Sequence, residues 1–381
     1  MLSSREILGY LFLVFVCSFP LFGAQPDQPQ SQLLPTGMRI TPFAAKGTVL
    51  QPLNPGLASL PDFVASMAVT SAVSPDGKTL LVLTSGYNQN YDANGNTVPE
   101  TSNEYVFVYD ISSHTPRQTQ VLTVSVNSFE GLVWNPSGNA FYVSGGPDDL
   151  LHVFVRRASA RNWTEGTSIS LNHNGVGLGL CGITPITAGL AITPDGNYLL
   201  AANFQNDSVS FIDLASGSVI KEFDLRPGVI DPAESGKPGG SYPYAIAVAD
   251  NHIAYVSSQR DREIIVLDIS ALPSVSVVTR IRVAGQPNKL ILSHAQNRLF
   301  VALDNVDSVA MIDIKSNRLL SSIQTIAPKS LFPNRENLHG ASPNNLAISS
   351  DDQTLYVTNS GTNSVAIVSL PSNPKSPGNG P

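Results

Sequence analysis

Hydrophobic and polar residues alternate along this chain in short runs broken by polar turns. The clearest instance runs from Leu346 to Val368, as Leu-Ala-Ile-Ser-Ser-Asp-Asp-Gln-Thr-Leu-Tyr-Val-Thr-Asn-Ser-Gly-Thr-Asn-Ser-Val-Ala-Ile-Val. It predicts a strand, a turn at Ser350–Asp352, a second strand over Thr354–Thr358, a turn at Asn359–Asn363 and a third strand over Ser364–Val368. Five other segments align on that first turn. With Ser74, Asn135, Thr193, Ala249, Ser293 and Ser349 taken as equivalent, successive repeats lie 44 to 61 residues apart. Two of the turns read Pro-Asp-Gly, at Pro75 and Pro194. Pro presets φ there, Asp bonds its own backbone and Gly accepts positive φ. A third strand recurs at Tyr105–Asp110, Leu151–Val155, Ser208–Asp213, Ile264–Asp268, Ser308–Asp313 and Ser364–Val368. A fourth is visible at Ser218–Phe223, Val275–Val283 and Leu319–Thr325. Helical periodicity is nearly absent beyond the first 24 residues.

One such meander cannot bury both of its faces, whereas meanders stacked radially cover each other and leave only short edges. The expected fold is therefore all-β, a β-propeller of four-stranded antiparallel blades. Tyr356-Val-Thr-Asn359 spells the signature of the YVTN repeat family of bacterial β-propellers, and the chain resembles that family over roughly residues 60–370. It resembles more closely the N-terminal propeller of bacterial propeller–alkaline-phosphatase fusion proteins. The stretches that carry this are Gly37–Gly47, Phe129–Val133 with Tyr142–Gly146, Asp224–Gly228 and Pro238–Ala245. The resemblance implies seven blades, with six as the alternative because six repeats are readable. Residues 37–60 are expected to add a strand or two that closes the ring. The phosphatase chemistry does not carry over, since its metal-binding side chains and nucleophile belong to a downstream domain that no part of this sequence matches.

Residues 1–24 look like a secretory signal, with Arg5 ahead of the apolar run Ile7–Phe19 and small residues Gly23 and Ala24 before Gln25. The expected location is periplasmic or secreted; the alternative is a membrane anchor formed by an uncleaved signal. Val16 argues against lipid attachment at Cys17. Residues 25–36 form a leader, 37–370 the propeller and 371–381 a Pro/Gly/Ser-rich tail. No later segment is apolar enough to span a membrane. Loss of the signal leaves Cys181 alone, which excludes a disulfide within the chain and any Cys-x-x-Cys site, and it is expected to be a buried small hydrophobe. A net charge of −7, with no basic run longer than Arg156-Arg157, argues against a nucleic-acid partner. The protein is expected to be a monomer.

Asp110, Asp213, Asp268 and Asp313 each end a third strand, where a carboxylate accepts N–H bonds from the following turn. A role repeated blade after blade belongs to the fold. Function in a propeller gathers where loops enter the channel, so the segments leading into each first strand matter most. They nominate Glu130, His173, Arg226, Tyr242, Tyr244, Asn288, His339, Asn344 and Asn345 as ligand-binding residues at one mouth, suited to an anionic or sugar-like ligand. No nucleophilic triad is visible, and His152 and His294 read as structural. The first functional reading is an exported, non-catalytic module that binds an envelope protein, a glycan or an anionic small molecule and needs no cofactor. The second is a lactonase-like hydrolase with calcium or manganese held by Glu130, Asn172, Asn288 and Asn345. A redox-associated propeller is third, without an attachment motif for a cofactor.

Overall fold

A computed structural model of the chain describes residues 51–371, apart from 87, 114, 125–126, 158–159, 174–184 and 328–338, together with a two-stranded pair formed by Gln32–Leu33 and Arg39–Ile40. The signal segment, Cys181 and the tail beyond residue 371 lie outside the described residues.

Six small antiparallel sheets follow one another along the chain, and within each the strands pair in sequence order. The inner strands are Ala68–Val73, Leu132–Trp134, Thr187–Ile192, Pro243–Ala249, Pro287–Leu292 and Pro343–Ile348. Each inner strand touches the next, which arranges the sheets radially as blades one to six. Six repeats thus build six blades among the described residues, the number that the readable repeats offered as the alternative to seven. Blade two splits its outer strand into Thr164–Glu165 and Ile169–Ser170, both paired with Leu150–Val155. Among the described residues blade six has three strands, ending with Ser364–Ser369.

The turns form as their chemistry requires. In the first Pro-Asp-Gly turn, Asp76 accepts from Ser74 Oγ at 2.6 Å and from Lys78 N at 3.1 Å, while Gly77 takes φ +70°. Asp195 repeats the arrangement with Thr193 and Asn197, and Asp351 with Ser349 and Gln353. The strand-ending aspartates behave as their position predicts: Ser112 N donates to Asp110, Ala215 N to Asp213, Ser270 N to Asp268 and Ser316 N to Asp313.

The core is a set of apolar layers between neighbouring blades. Phe141, Phe154, Trp134 and Trp163 pack against Leu81, Leu83 and Val106 between blades one and two. Phe211, Leu200, Val256 and Ile265 fill the seam between blades three and four, and Phe300, Met311, Leu355 and Val357 that between five and six. The outward face of blade one, with Tyr105 and Phe107, is covered by Leu53, Phe63 and Ala65 of the segment that precedes it. The corresponding face of blade six carries exposed Tyr356, Val365 and Ile367. Among the described residues no helix is long and apolar enough to cross a membrane.

Candidate functional site

Antiparallel order puts two kinds of connection on one face of the ring: the loop entering each inner strand and the turn between the second and third strands. On that face, blades three to five surround a cavity of about 600 Å³ lined by Phe204, Tyr242, Gln259, Arg260, Arg262, Gln286 and Asn305. Tyr242 lies beside Phe204 with ring centroids 5.0 Å apart, and the Arg260 guanidinium stands 5.9 Å from the centre of the Tyr242 ring. Asn288 enters this wall by accepting from Gln259 Nε2 at 2.7 Å.

From the cavity an aromatic run leads to the channel centre. Phe204 packs on Phe129 and Tyr244, which meet each other edge to face at 5.9 Å. There the Tyr244 hydroxyl donates to Glu130 Oε2 at 3.1 Å, and Lys289 Nζ donates to Glu130 Oε1 at 3.2 Å. Lys289 also lies 3.5 Å from Thr70 Oγ1, so a group from blade five reaches blade one across the channel. Glu130 is 6 % exposed, and Thr70 Oγ1 donates to its carbonyl oxygen at 2.9 Å. Burial first, and then the negative charge and hydrogen bond of Glu130, push the Tyr244 phenol far above its ordinary range, which keeps it a donor at any physiological pH.

The inner strands approach closely at this centre because two positions carry no side chain. A Cβ on Gly131 would lie 2.4 Å from the Ala188 carbonyl oxygen, and one on Gly189 would lie 2.5 Å from that of Tyr244. The sequence-nominated residues divide accordingly. Glu130 and Tyr244 meet directly, while Tyr242 and Asn288 stand on the cavity wall. The others are engaged elsewhere. Arg226 forms a bidentate pair with Asp224, and Asn344 and Asn345 bond within blade six to Thr358 and the Leu346 N–H. His339 is exposed, 3.4 Å from Asp307.

His173 is buried in the seam between blades two and three. Its Nδ1 lies 2.6 Å from Asp149 Oδ1 and its Nε2 3.0 Å from Glu222 Oε1. Burial works against the charged ring, but the hydrogen bonds and charges of Asp149 and Glu222 outweigh it and raise its pKa to about 9. A raised folded-state pKa contributes stability that is complete below about 6.5, the unfolded value, and is lost as pH rises through about 9. The melting temperature should fall over that interval, by the equivalent of roughly 2–3 kcal/mol. Thermal scans of wild type and His173→Gln check this: the variant should lose most of the alkaline slope.

The donors named for a divalent metal do not converge. Glu130 is neutralised by an ammonium, Asn288 is bonded to Gln259, Asn345 holds its own strand, and Asn172 bonds to Ser170 on the rim of blade two. Among the described residues no three His, Cys, Asp or Glu side chains gather as a metal site. A second hollow, about 340 Å³, lies on the opposite face between blades one and two, where Arg156 covers the Trp163 ring at 4.7 Å and Arg117 pairs with Asp110.

No family model matches the chain, and no curated protein matches it in sequence. Among solved structures it is similar to a protein from Lactobacillus plantarum, with a TM-score of 0.62 at 11% identity over 92% of this chain and 90% of that one. It is similar to the periplasmic gluconolactonase of Pseudomonas aeruginosa, with a TM-score of 0.57 at 17% identity over 83% and 85% of the two chains. A catalytically inactive virginiamycin B lyase from Staphylococcus aureus gives 0.55 at 13% identity over 85% and 86%. Identities this low carry the fold alone, and on that ground the chain is a β-propeller, with six blades among the described residues.

Proposed function

We propose that this propeller is a binding module that takes a small polar ligand at the mouth between blades three, four and five. The observation that carries the reading is the cavity of about 600 Å³ with Tyr242 and Phe204 on one wall and two arginines on another, all set at the ends of packed strands. Such a frame holds its contacts still, so a ligand pays little for ordering them. In this reading the protein is exported to the cell envelope and acts without catalysis, as a member of the YVTN group and as the propeller part of a phosphoesterase-type protein. A thermal-shift screen of small metabolites tests it. A hit should raise the melting temperature of the wild type and leave Tyr242→Ala unmoved. A screen whose hits all stabilise Tyr242→Ala equally would remove the mouth as the site.

A lactonase-like hydrolase is the second reading, favoured by the Glu130–Tyr244–Lys289 cluster at the channel centre and by the fold shared with a gluconolactonase. Its mark would be lactone hydrolysis above the spontaneous rate that disappears in Glu130→Gln. Wild-type rates equal to the spontaneous one would exclude it.

A further inference from the structure

The residue just before the third strand adopts a left-handed backbone in five blades. It is Asp149 (φ +61°), Asp207 (φ +54°), Arg262 (φ +53°), Asp307 (φ +53°) and Asn363 (φ +47°). Asp and Asn tolerate this region because a short polar side chain bonds locally, whereas a long side chain there is strained. In three blades the aspartate also does a job for the fold. Asp149 accepts from His173 N at 2.8 Å, Asp207 from Tyr242 N at 3.0 Å, and Asp307 from Gly340 N and Ser342 N at 2.8 and 3.1 Å. Each thereby clasps the loop that enters the next blade.

Blade four departs from that rule. Its left-handed position holds Arg262, which cannot accept, and the loop it would clasp is held instead by Asn305 Oδ1, accepting from Gln286 N at 2.8 Å. The main chain is unchanged, since the Arg262 carbonyl accepts from Val283 N at 2.9 Å just as Asp207 accepts from Leu225 N. The backbone geometry therefore belongs to the fold, and the choice of arginine does not. Arg262 and Arg260 are both exposed and both line the cavity. Neither has an ion-pair partner among the described residues. Asp261 between them turns its carboxylate to the Ser241 N–H at 2.8 Å. Two guanidinium groups without an ion-pair partner, beside a half-buried tyrosine ring, form a complement to a carboxylate attached to a ring.

We infer that the channel mouth selects a ring-bearing carboxylate, with Arg260 and Arg262 binding the anion and Tyr242 stacking on the ring. This deepens the proposed binding role and rests on the mouth being a ligand site. The test titrates benzoate, glucuronate, benzyl alcohol and inorganic phosphate, at millimolar concentration, into the full chain and into Arg262→Asn, Arg260→Gln and Tyr242→Leu. The two ring carboxylates should bind wild type at least about tenfold more tightly than benzyl alcohol or phosphate, and each arginine variant should lose about tenfold. Arg262→Asn places there a side chain that tolerates the left-handed backbone, as Asn363 does in blade six, so its melting temperature should rise by about 1–3 °C while its affinity falls. That opposite movement separates a binding arginine from a structural one. Carboxylate binding unchanged in Arg262→Asn and Arg260→Gln, phosphate binding as tightly as the ring carboxylates, or no carboxylate binding at all would each overturn the inference. Ring binding lost in Tyr242→Leu but intact in both arginine variants would keep the mouth as a site and remove its anion preference.

Discussion

Replacing Arg280 by methionine should lower the stability of the protein by about 3–5 kcal/mol, the range for stripping one partner from a buried ion pair. Glu263, the residue left behind, is fully buried. Its Oε1 accepts from Arg280 Nη1 at 2.7 Å and from Gly240 N at 2.9 Å, and without the guanidinium only the second bond remains. Arg280 also donates from Nη2 to the Leu225 carbonyl oxygen at 2.5 Å. One side chain thus fixes both ends of the excursion from Leu225 to Gly240, which includes a short helix over Pro227–Ile230 and delivers Tyr242 to the channel mouth. Ligand affinity at the mouth should fall along with stability. Adding Glu263→Gln to Arg280→Met should recover part of the loss, because the uncompensated charge is then gone. Equilibrium unfolding of the single and double variants checks both statements. A double variant less stable than Arg280→Met would show that the cost lies in lost packing rather than in the stranded carboxylate.

Gly189→Ala is expected to cost about 3 kcal/mol, the upper end of ordinary overpacking. The new methyl would meet the Tyr244 carbonyl oxygen at 2.5 Å and the Ala245 Cα at 2.8 Å. Both obstacles are main chain in the neighbouring inner strand, so no side chain can swing aside to make room. Relief requires blades three and four to part at the channel, and that carries Tyr244 away from Glu130. Thermal melts should show the destabilisation, and tyrosine fluorescence the change around Tyr244. A variant as stable as wild type would mean that the two strands are not held in this contact.

The frame was readable from sequence because its signals are local. Ser-Pro-Asp-Gly at residues 74–77 carries its own hydrogen-bonding scheme, and Asp213 at a strand end caps the next turn wherever the strand is placed. Alternation in Thr354–Asn359 fixes which face is buried. The site was readable in part. Glu130 and Tyr242 lie in loops that enter inner strands and Tyr244 and Asn288 at the start of such strands, and the structure brings them to one region. Phe204, Arg260, Arg262 and Asn305 were missed because they lie in the other set of turns, which antiparallel order places on the same face. A signal existed for Arg262: aligned with Asp207 and Asp307, it breaks a chemical rule of the repeat. No comparable signal marked His173 as engaged, since its partners are chosen by tertiary packing, whereas Arg226 pairs with Asp224 only two residues before it. Asp149 and Glu222 come to His173 from two different blades, and the hold of Lys289 on Glu130 spans three.

The bare face of blade six, with Tyr356, Val365 and Ile367, gives the ring a direction. The apolar layers between blades are each shared by two consecutive blades, so most apolar cohesion passes from neighbour to neighbour, as in a linear array. Among the described residues the last blade draws on one such layer where the interior blades draw on two. Among the described residues its final strand, Ser364–Ser369, is also an unpaired edge. Opening is therefore graded rather than uniform, easiest at that edge and hardest toward blades three and four, where glycine lets the inner strands touch. The ligand mouth sits at the firm end of this gradient, so the ring can fray at its sixth blade without loosening the walls formed by Tyr242 and Arg262.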